Sequence, residues 1–463
     1  MEKRATLKES ISLMFIIIGF IALCVRLKLS LVIPLFLSWL VMFFFGIYKK
    51  NEWRDVEAWG LDSVRSGFQS IMIVMAVGAL IGTWILSGTV PTLIYYGLKI
   101  ISPQWFLPAT LLLCSILSVA TGTSYGSAGS AGLAMMGIGI SMGFPPGMIA
   151  GAVICGALFG DKMSPFSDTT NLAPAMAGGD LFKHIKSMTY TTVPIWLLSL
   201  VLFWILGARY SAGNYDPALV IEYMASLNST FNISVFALIP IILVIAILLY
   251  KSPALPTILI GSVVGGITAV LLQGATFVEV LTVMHKGFKI DTGVLLVDKL
   301  LNRGGVNSMT DITMIMIFAM GLGGMLEKSG VLNNFLDLFV KKITSTGKLI
   351  VTTMGVSYVT GAIGCTQSMS HVITGKLMAP IYREKGIAPE ILSRTMEDAG
   401  TLGGALIPWH TNAIFFAGVL GVTYIEYLPY LFLCYLTPFL SMFYGYTGIT
   451  IKHIDPKEVN DSK

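Results

Sequence analysis

The chain has 463 residues, of which 55% are hydrophobic and only 12% are charged, and its formal net charge is +5. Soluble domains carry about 25% charged residues, and half that share cannot cover a soluble surface of this size. The same figures exclude a disordered chain, a coiled coil and a disulfide-rich scaffold, and the small net charge gives no reason to expect nucleic-acid binding. The composition therefore predicts an all-α polytopic membrane protein.

Apolar stretches long enough to cross about 30 Å of hydrocarbon as helices occur along the whole chain. There are ten, at residues 11–27, 29–48, 66–88, 147–180, 188–207, 233–250, 254–272, 309–327, 388–421 and 424–446. Two further stretches, 105–143 and 348–382, each resemble two short helices around a break rich in Gly, Ser and Thr. We interpret them as re-entrant hairpins. Two ordinary spans in each stretch are the plainer alternative, and both interpretations leave the other spans facing the same way.

The distribution of Lys and Arg predicts the orientation of these spans. With the N-terminus inside, 21 of these residues fall on or near the cytoplasmic side and 8 fall outside, while Lys162 is left within the membrane. Cytoplasmic loops of membrane proteins carry the excess of positive charge. We therefore expect a multi-pass protein with both termini in the cytoplasm.

Matching residues recur at a constant spacing along the two halves of the chain. The spacing is 243 residues in four pairs, namely Gly78 and Gly321, Pro146 and Pro389, Gly160 and Gly403, and Pro165 and Pro408. Each half carries five spans and one hairpin, and because five is odd the second copy would enter the membrane upside down. Inverted repeats are typical of secondary transporters, since mirrored halves can provide inward-facing and outward-facing states of similar energy. A chance match among the 48 glycines is the alternative.

This interpretation divides the chain into five parts. They are a cytoplasmic N-terminus at 1–10, a first inverted repeat at 11–207, an extracytoplasmic linker at 208–232, a second inverted repeat at 233–446 and a cytoplasmic tail at 447–463. Each repeat has five spans, one re-entrant hairpin and one interrupted helix. The more hydrophilic stretches 52–65 and 276–305 are interpreted as surface helices.

The break in the first hairpin, residues 120–129, reads Ala-Thr-Gly-Thr-Ser-Tyr-Gly-Ser-Ala-Gly. Glycines destabilise a helix, and hydroxyl side chains compete for its backbone hydrogen bonds. Non-helical backbone at membrane depth is tolerated where it is buried in protein or lines a wet cavity, and its oxygens suit a small, hard cation. The candidate ligands are Thr121, Thr123, Ser124 and Ser127. A face of small residues that packs closely against another helix is the alternative.

The break in the helix that follows, residues 160–171, reads Gly-Asp-Lys-Met-Ser-Pro-Phe-Ser-Asp-Thr-Thr-Asn. Pro165 has no N–H for the carbonyl of residue 161, so the helix kinks or ends there. Carboxylates in a membrane core are costly and usually functional, and their removal from water lets a proton compete with a cation for one site. The candidate ligands of a Na⁺ site are Asp161, Asp168, Ser164, Ser167, Thr169 and Asn171.

Oxygen-bearing side chains are densest around Asp168, so we expect it to be a direct cation ligand and Asp161 to be a second ligand or a proton carrier. The alternative is a wet interfacial loop in which Lys162 pairs with an aspartate.

The corresponding segment of the second half, 403–412, reads Gly-Gly-Ala-Leu-Ile-Pro-Trp-His-Thr-Asn. It contains a proline at the same position but no aspartate, so only the first half is strongly anionic. The candidate residues of the second half are Thr366, Gln367, Ser368, His410, Thr411 and Asn412. Because histidine ordinarily changes its charge near neutral pH, His410 is either a pH-sensing group or, as a lone histidine more often is, a structural hydrogen-bonding group.

Four further charged residues have two interpretations each. Glu327 ends a predicted span beside Lys328, so it is either interfacial or part of the transport path. Arg394, Glu397 and Asp398 are three and four residues apart on one helical face. They form either a self-neutralising cluster near the membrane surface or a route for protons or a contact for a substrate carboxylate. The sequence contains no Walker A, His-Glu-x-x-His or Cys-x-x-Cys motif, so we expect neither an enzyme nor a cofactor.

Three segments of this sequence resemble the NhaC family of bacterial sodium/proton antiporters. They are Gly-Asp-Lys-Met-Ser-Pro-Phe-Ser-Asp-Thr-Thr at 160–170, Ile-Pro-Trp-His-Thr-Asn at 407–412 and Thr-Gly-Thr-Ser at 121–124, and the resemblance covers nearly the whole chain. It implies paired re-entrant hairpins, two interrupted helices that bind the cation at their breaks, a transport domain that moves against a scaffold domain, and often a homodimer. Similar carriers that exchange malate for lactate with sodium and protons imply that these motifs do not fix the substrate.

The expected function is therefore secondary antiport of Na⁺ for H⁺ across the bacterial inner membrane by alternating access. A cation-coupled organic anion exchanger of the same fold is the alternative, in which Arg394 and His410 would receive a small carboxylate. Two interrupted helices in opposed halves argue against an ion channel. The expected partners are the transported ions and membrane lipid.

Overall fold

A computed structural model describes residues 4–27, 29–214, 217–250, 252–294, 297–298, 301–332, 334 and 343–454. Parts of the predicted cytoplasmic N-terminus, linker and tail lie outside these described residues, at 1–3, 215–216 and 455–463. So do eight residues of the charge count, namely Lys3, Lys28, Lys251, Lys299, Lys341, Lys342, Lys457 and Lys463.

The N-terminal half of the described chain consists of helices joined by short connections. Its helices are α1 (Leu7–Arg26), α2 (Val32–Tyr48), α3 (Trp53–Ser66), α4 (Phe68–Leu86), α5 (Thr89–Ile100), α6 (Pro103–Thr121), α7 (Ser124–Ser127), α8 (Leu133–Ser141), α9 (Pro146–Met163), α10 (Asp168–Ala177) and α11 (Leu181–Asn214). A π-helical turn, Ala128–Gly132, joins α7 to α8.

The C-terminal half continues in the same manner. Its helices are α12 (Pro217–Thr230), α13 (Ile239–Leu249), α14 (Ala254–Gln273), α15 (Phe277–Lys286), α16 (Thr310–Lys328), α17 (Thr346–Gly364), α18 (Gln367–Glu384), α19 (Pro389–Met396), α20 (Thr411–Leu420), α21 (Tyr424–Tyr427) and α22 (Phe432–Thr447). A π-helical turn, Glu397–Thr401, directly follows α19. A 3₁₀ turn, Gly404–Leu406, follows shortly after it.

Five of the described helices are long and apolar enough to cross a membrane, and the number rises to 8 if each of three bent helix pairs forms one span. The five include α4, α6 and α14, and one of the bent pairs is α9 with α10, which meet at 49°. The predicted all-α polytopic architecture is therefore confirmed for the described residues.

Both predicted hairpins are helix–break–helix units. Gly122 separates α6 from α7 with a left-handed backbone (φ 71°), and Cys365 separates α17 from α18 in the same conformation (φ 57°). At 1.5 Å per residue, the 19 residues of α6 and of α17 extend about 28 Å each.

Helix boundaries in the two halves are related by the spacing already seen in single residues. The bounds of α6 and α17 differ by 243 residues (103 to 346 and 121 to 364), and so do those of α10 and α20 (168 to 411 and 177 to 420). The left-handed glycines that end α10 and α20, Gly178 and Gly421, keep the same spacing. The internal match therefore extends from single residues to the ends of whole helices.

Glycines allow α9 to approach α6 closely. A Cβ atom on Gly156 would lie 2.5 Å from the carbonyl oxygen of Leu111, and one on Gly160 would lie 2.3 Å from Cβ of Ser118. Because these positions have no side chain, the end of α9 lies directly against the end of α6. Asp161 is thereby placed beside the break that follows α6.

The linker 208–232 and the stretch 276–305 differ in detail from their predictions, whereas the stretch 52–65 does not. The predicted linker 208–232 is largely helical, since α11 runs to Asn214 and α12 covers Pro217–Thr230. The stretch 52–65 forms the expected helix α3. In the stretch 276–305, α15 ends at Lys286, where Gly287 takes up a positive φ that ordinary helices cannot accommodate.

Candidate cation-binding site

The break between α9 and α10 is held against the break after α6. The hydroxyl of Ser164 donates to the carbonyl of Val119 at 2.7 Å. A Cβ on Gly122 would lie 2.6 Å from the carbonyl carbon of Phe166, and its φ of 71° also favours glycine. The first break therefore needs glycine at this position in order to contact the second.

Hydroxyl groups from both breaks converge on the carboxylate of Asp161. Ser124 donates to one oxygen at 2.6 Å and Ser167 donates to the other at 2.6 Å. The hydroxyls of Ser167 and Thr169 are 3.1 Å apart, which adds a further oxygen to the group. Asp161 itself is only 7% exposed. The result is a nearly buried carboxylate surrounded by oxygen atoms from two interrupted segments.

The main-chain carbonyl of Asp161, which Pro165 leaves without its helical N–H partner, is not a free ligand in this structure. The hydroxyl of Thr170 donates to it at 2.9 Å and is also 2.9 Å from the carbonyl of Lys162. Thr170 thus satisfies the backbone at the break, and the oxygens that face Asp161 are those of side chains.

Several predicted ligands of the first half shape the breaks without contacting Asp161. Thr123 caps α7 by accepting a hydrogen bond from the amide of Gly126 at 3.2 Å, and the hydroxyl of Ser127 donates to the carbonyl of Thr123 at 2.9 Å. The amide group of Asn171, an exposed side chain, donates at 2.8 Å to two carbonyls of the break. Thr121 is half-buried at the end of α6.

Asp168 is the first residue of α10, and its side chain is exposed. It therefore lies at the edge of the oxygen cluster, whereas Asp161 lies at its centre. The sequence placed the highest density of oxygen-bearing side chains around Asp168, whereas in the structure they surround Asp161.

The second half has a similar junction without a carboxylate. The indole of Trp409 donates to the carbonyl of Ala362 at 2.7 Å, and the amide of Thr411 donates to the carbonyl of Cys365 at 3.0 Å. His410 caps α20, since its Nδ1 accepts a hydrogen bond from the amide of Asn412 at 3.1 Å. This is the structural role that we considered as one alternative for His410.

The other predicted residues of the second half are more dispersed. Thr366 caps α18, and Gln367 donates from its side chain to the carbonyl of Thr401 at 3.1 Å. The side chain of Ser368 is exposed, and Glu327 is half-buried in the last turn of α16.

Tyr125 links the two halves, and the sequence analysis did not single it out. Its hydroxyl donates to Oδ1 of Asn412 at 2.9 Å, and its ring stacks on that of Phe415 with centroids 3.8 Å apart. The only signal in the sequence was an aromatic residue within a run of Gly and Ser.

Lys162 forms a buried ion pair with Asp398, a residue of the π-helical turn in the other half. Both side chains are 0% exposed, and the hydroxyl of Thr191 donates to the same carboxylate oxygen at 3.1 Å. Lys162 therefore does pair with an aspartate, but the pair is fully buried and does not belong to a wet loop. Arg394 and Glu397 are also 0% exposed, so the whole cluster is buried in the protein.

Comparisons with known proteins identify the family of this chain. A family described as "Na+/H+ antiporter family" matches residues 156–449. The chain is 41% identical to the "Malate-2H(+)/Na(+)-lactate antiporter" of Bacillus subtilis, over 92% of this chain and 91% of that protein. It is 40% identical to the "Na(+)/H(+) antiporter NhaC" of Alkalihalophilus pseudofirmus, over 97% and 98% of the two chains. It is 34% identical to the "Arginine/ornithine antiporter ArcD" of Halobacterium salinarum, over 86% and 82%. The chain therefore belongs to the Na⁺/H⁺ antiporter family.

Proposed function

We propose that this protein is a secondary antiporter that exchanges Na⁺ for H⁺ at Asp161. The observation that carries the proposal is the convergence of two hydroxyls, from Ser124 and Ser167, on one nearly buried carboxylate. Oxygen atoms are the ligands that hard cations prefer. A hydroxyl can both donate and accept hydrogen bonds, so the same groups can orient lone pairs towards Na⁺ or hold the carboxyl in its protonated form. The site then holds either ion but not both.

The two aspartates have different roles in this proposal. Asp161 is the direct ligand and the group that binds the competing proton. Asp168 is an exposed carboxylate at the edge of the oxygen cluster, where its charge raises the local concentration of cations. Thr169 supplies a further oxygen through its contact with Ser167.

Alternating access, in this proposal, follows from two inverted repeats, each with a re-entrant hairpin. Two observations that support the repeat are the shared spacing of helix boundaries and the left-handed residue in each hairpin break. The third is that each interrupted helix forms a hydrogen bond with its hairpin. Ser164 donates to the carbonyl of Val119, Trp409 donates to the carbonyl of Ala362, and these two carbonyls are 243 residues apart. An odd number of spans per repeat inverts the second copy and leaves both termini on one side, which the distribution of Lys and Arg places in the cytoplasm.

The alternative is an organic anion exchanger of the same fold, and one observation favours it. The buried guanidinium of Arg394 bonds to the hydroxyl of Thr450 through Nη1 at 3.1 Å, whereas its Nε and Nη2 have no hydrogen-bond partner among the described residues. A carboxylate is the usual bidentate partner of such a group. The name of the Bacillus subtilis relative refers to malate and lactate.

Uptake of labelled Na⁺ into proteoliposomes tests the proposal against this alternative. We expect an imposed pH gradient, acidic inside, to drive Na⁺ uptake when buffer and inorganic ions are the only other solutes. Addition of malate, lactate or arginine should leave the rate unchanged. Na⁺ uptake that requires malate or lactate would replace the proposal with the alternative.

A further inference from the structure

A second buried acidic group lies outside the oxygen cluster around Asp161. The helix that begins with α19 widens into a π-helical turn at Glu397, and π turns occur frequently at functional sites. The turn carries two adjacent carboxylates, Glu397 and Asp398, and both side chains are 0% exposed. Lys162 forms its ion pair with Asp398. One buried cation is thus paired with one of the two carboxylates, and the charge of Glu397 needs a different compensation.

The surroundings of Glu397 supply a titratable partner. Nε2 of His371 lies 3.6 Å from a carboxylate oxygen of Glu397 and 2.9 Å from the hydroxyl of Thr401. Within the described residues, Nδ1 of His371 is buried and lacks a hydrogen-bond partner, and the hydroxyl of Thr401 is the neutral hydrogen-bonding group beside the buried carboxylate of Glu397. An ionised carboxylate is very costly in such surroundings. One proton on the pair, on either the carboxyl or the imidazole, makes its net charge zero.

We infer that Glu397 and His371 together bind one exchangeable proton, at a site separate from the one at Asp161. This inference rests on the proposed Na⁺/H⁺ exchange and adds a second proton to it. A proton fits this site better than Na⁺ does, because a nitrogen of His371 faces Glu397 at 3.6 Å, Thr401 adds a single hydroxyl, and hard cations prefer a full set of oxygen ligands.

The charges around the pair connect it to the Na⁺ site. The titratable groups that interact with the pair are Asp161 and Lys162 of α9, His184 of α11 and Asp398 of its own turn. Beyond these, Asp168 of α10 interacts with Asp161, Tyr358 of α17 and Arg394 of α19 interact with Asp398, and Cys434 of α22 interacts with Lys162. Asp161 and Lys162 are adjacent in the chain, so a Na⁺ ion at Asp161 adds positive charge near the pair. Arrival of Na⁺ should therefore favour release of the proton from Glu397 and His371 in addition to the one from Asp161.

Counting the protons released on Na⁺ binding tests this inference in the purified full-length protein. Titration calorimetry with NaCl, repeated in buffers of different ionisation enthalpy between pH 6 and 9, gives the number of protons released per Na⁺. We expect a maximum above one for the unaltered protein. Glu397→Gln should still bind Na⁺ but release at most one. The control is Glu390→Gln, because Glu390 lies on α19 and its carboxylate faces Lys452 at 3.7 Å, away from the pair.

The outcomes separate the inference from the proposed function. The unaltered protein failing to bind Na⁺ would contradict the proposed function. Equal proton release by the unaltered protein and by Glu397→Gln would overturn only the second proton site. If Glu397→Gln is not recovered folded, His371→Gln decides. It should shift the pH midpoint of the second release by at least about one unit, and an unchanged midpoint overturns the inference.

Discussion

Replacement of Asp161 by Asn removes the negative charge at the point where Ser124 and Ser167 converge. The substitution keeps the volume of the side chain and one acceptor oxygen, so the two breaks should still meet. A neutral amide oxygen can contact Na⁺ but cannot balance its charge in surroundings that are poorly screened. We therefore expect a folded protein with strongly weakened Na⁺ binding.

The size of the effect follows from the burial of Asp161. Two unit charges 4 Å apart interact by about 4 kcal/mol at an effective dielectric constant near 20. Asp161 is 7% exposed, so this dielectric constant is a suitable choice. Since about 1.4 kcal/mol corresponds to a tenfold change in Kd, the affinity for Na⁺ should fall nearly a thousandfold. Asp168 is exposed, and charge pairs at exposed positions contribute about 0–1 kcal/mol, so Asp168→Asn should cost less than about tenfold.

Titration calorimetry with NaCl at pH 8 measures these affinities, and Asp180→Asn is the matched control. Asp180 is exposed and accepts hydrogen bonds at 2.9 Å from the amides of Phe182 and Lys183, and an asparagine can accept them equally well. A folded Asp161→Asn protein with unchanged Na⁺ affinity would refute the assignment. A larger loss in Asp168→Asn than in Asp161→Asn would restore the order expected from the sequence.

Three further predictions concern the break, the competition with protons and the topology. Gly122→Ala should lower the melting temperature more than Gly178→Ala does. Both glycines have a positive φ, but only a Cβ at position 122 would contact a neighbour, Phe166. Equal decreases in melting temperature would contradict the close contact between the two breaks. Apparent Na⁺ affinity should fall on acidification, by tenfold or more per pH unit once the carboxyl of Asp161 is protonated, and a constant affinity from pH 6 to 9 would place the ionisable site elsewhere. In a cysteine-free background, an impermeant thiol reagent should label Ser229→Cys from outside and Lys385→Cys only after permeabilisation, whereas labelling of both from one side would contradict the inverted repeat.

The breaks were predictable from the sequence because their causes are local. A proline removes one helical hydrogen bond wherever it stands, and a glycine permits a left-handed backbone. Gly122 and Pro165 therefore marked the ends of α6 and α9 to within two residues. The repeat with a spacing of 243 residues could likewise be recognised from the positions of residues in the sequence alone.

The arrangement around the carboxylates was not predictable, because it depends on contacts between distant segments. Asp161 and Asp168 are seven residues apart, and which of them faces the oxygen cluster is decided by the 49° bend and by the close approach of α6. Asp398, the partner of Lys162, is 236 residues away in the sequence. It lies on a π-helical turn that could not be predicted from its sequence. The spacing of Glu397 and Asp398 from Arg394 indicated that the three share one helical face, but not that they are buried near Lys162 and His371.

Simultaneous measurement of Na⁺ and H⁺ fluxes in proteoliposomes, with the unaltered protein and with Asp161→Asn, tests the central claim most directly. The claim is that one buried carboxylate binds Na⁺ and H⁺ in turn. An inward Na⁺ gradient should drive H⁺ out through the unaltered protein, without any organic solute, and Asp161→Asn, reconstituted to the same density, should abolish both fluxes. Coupled exchange that persists in Asp161→Asn at the rate of the unaltered protein would contradict the claim.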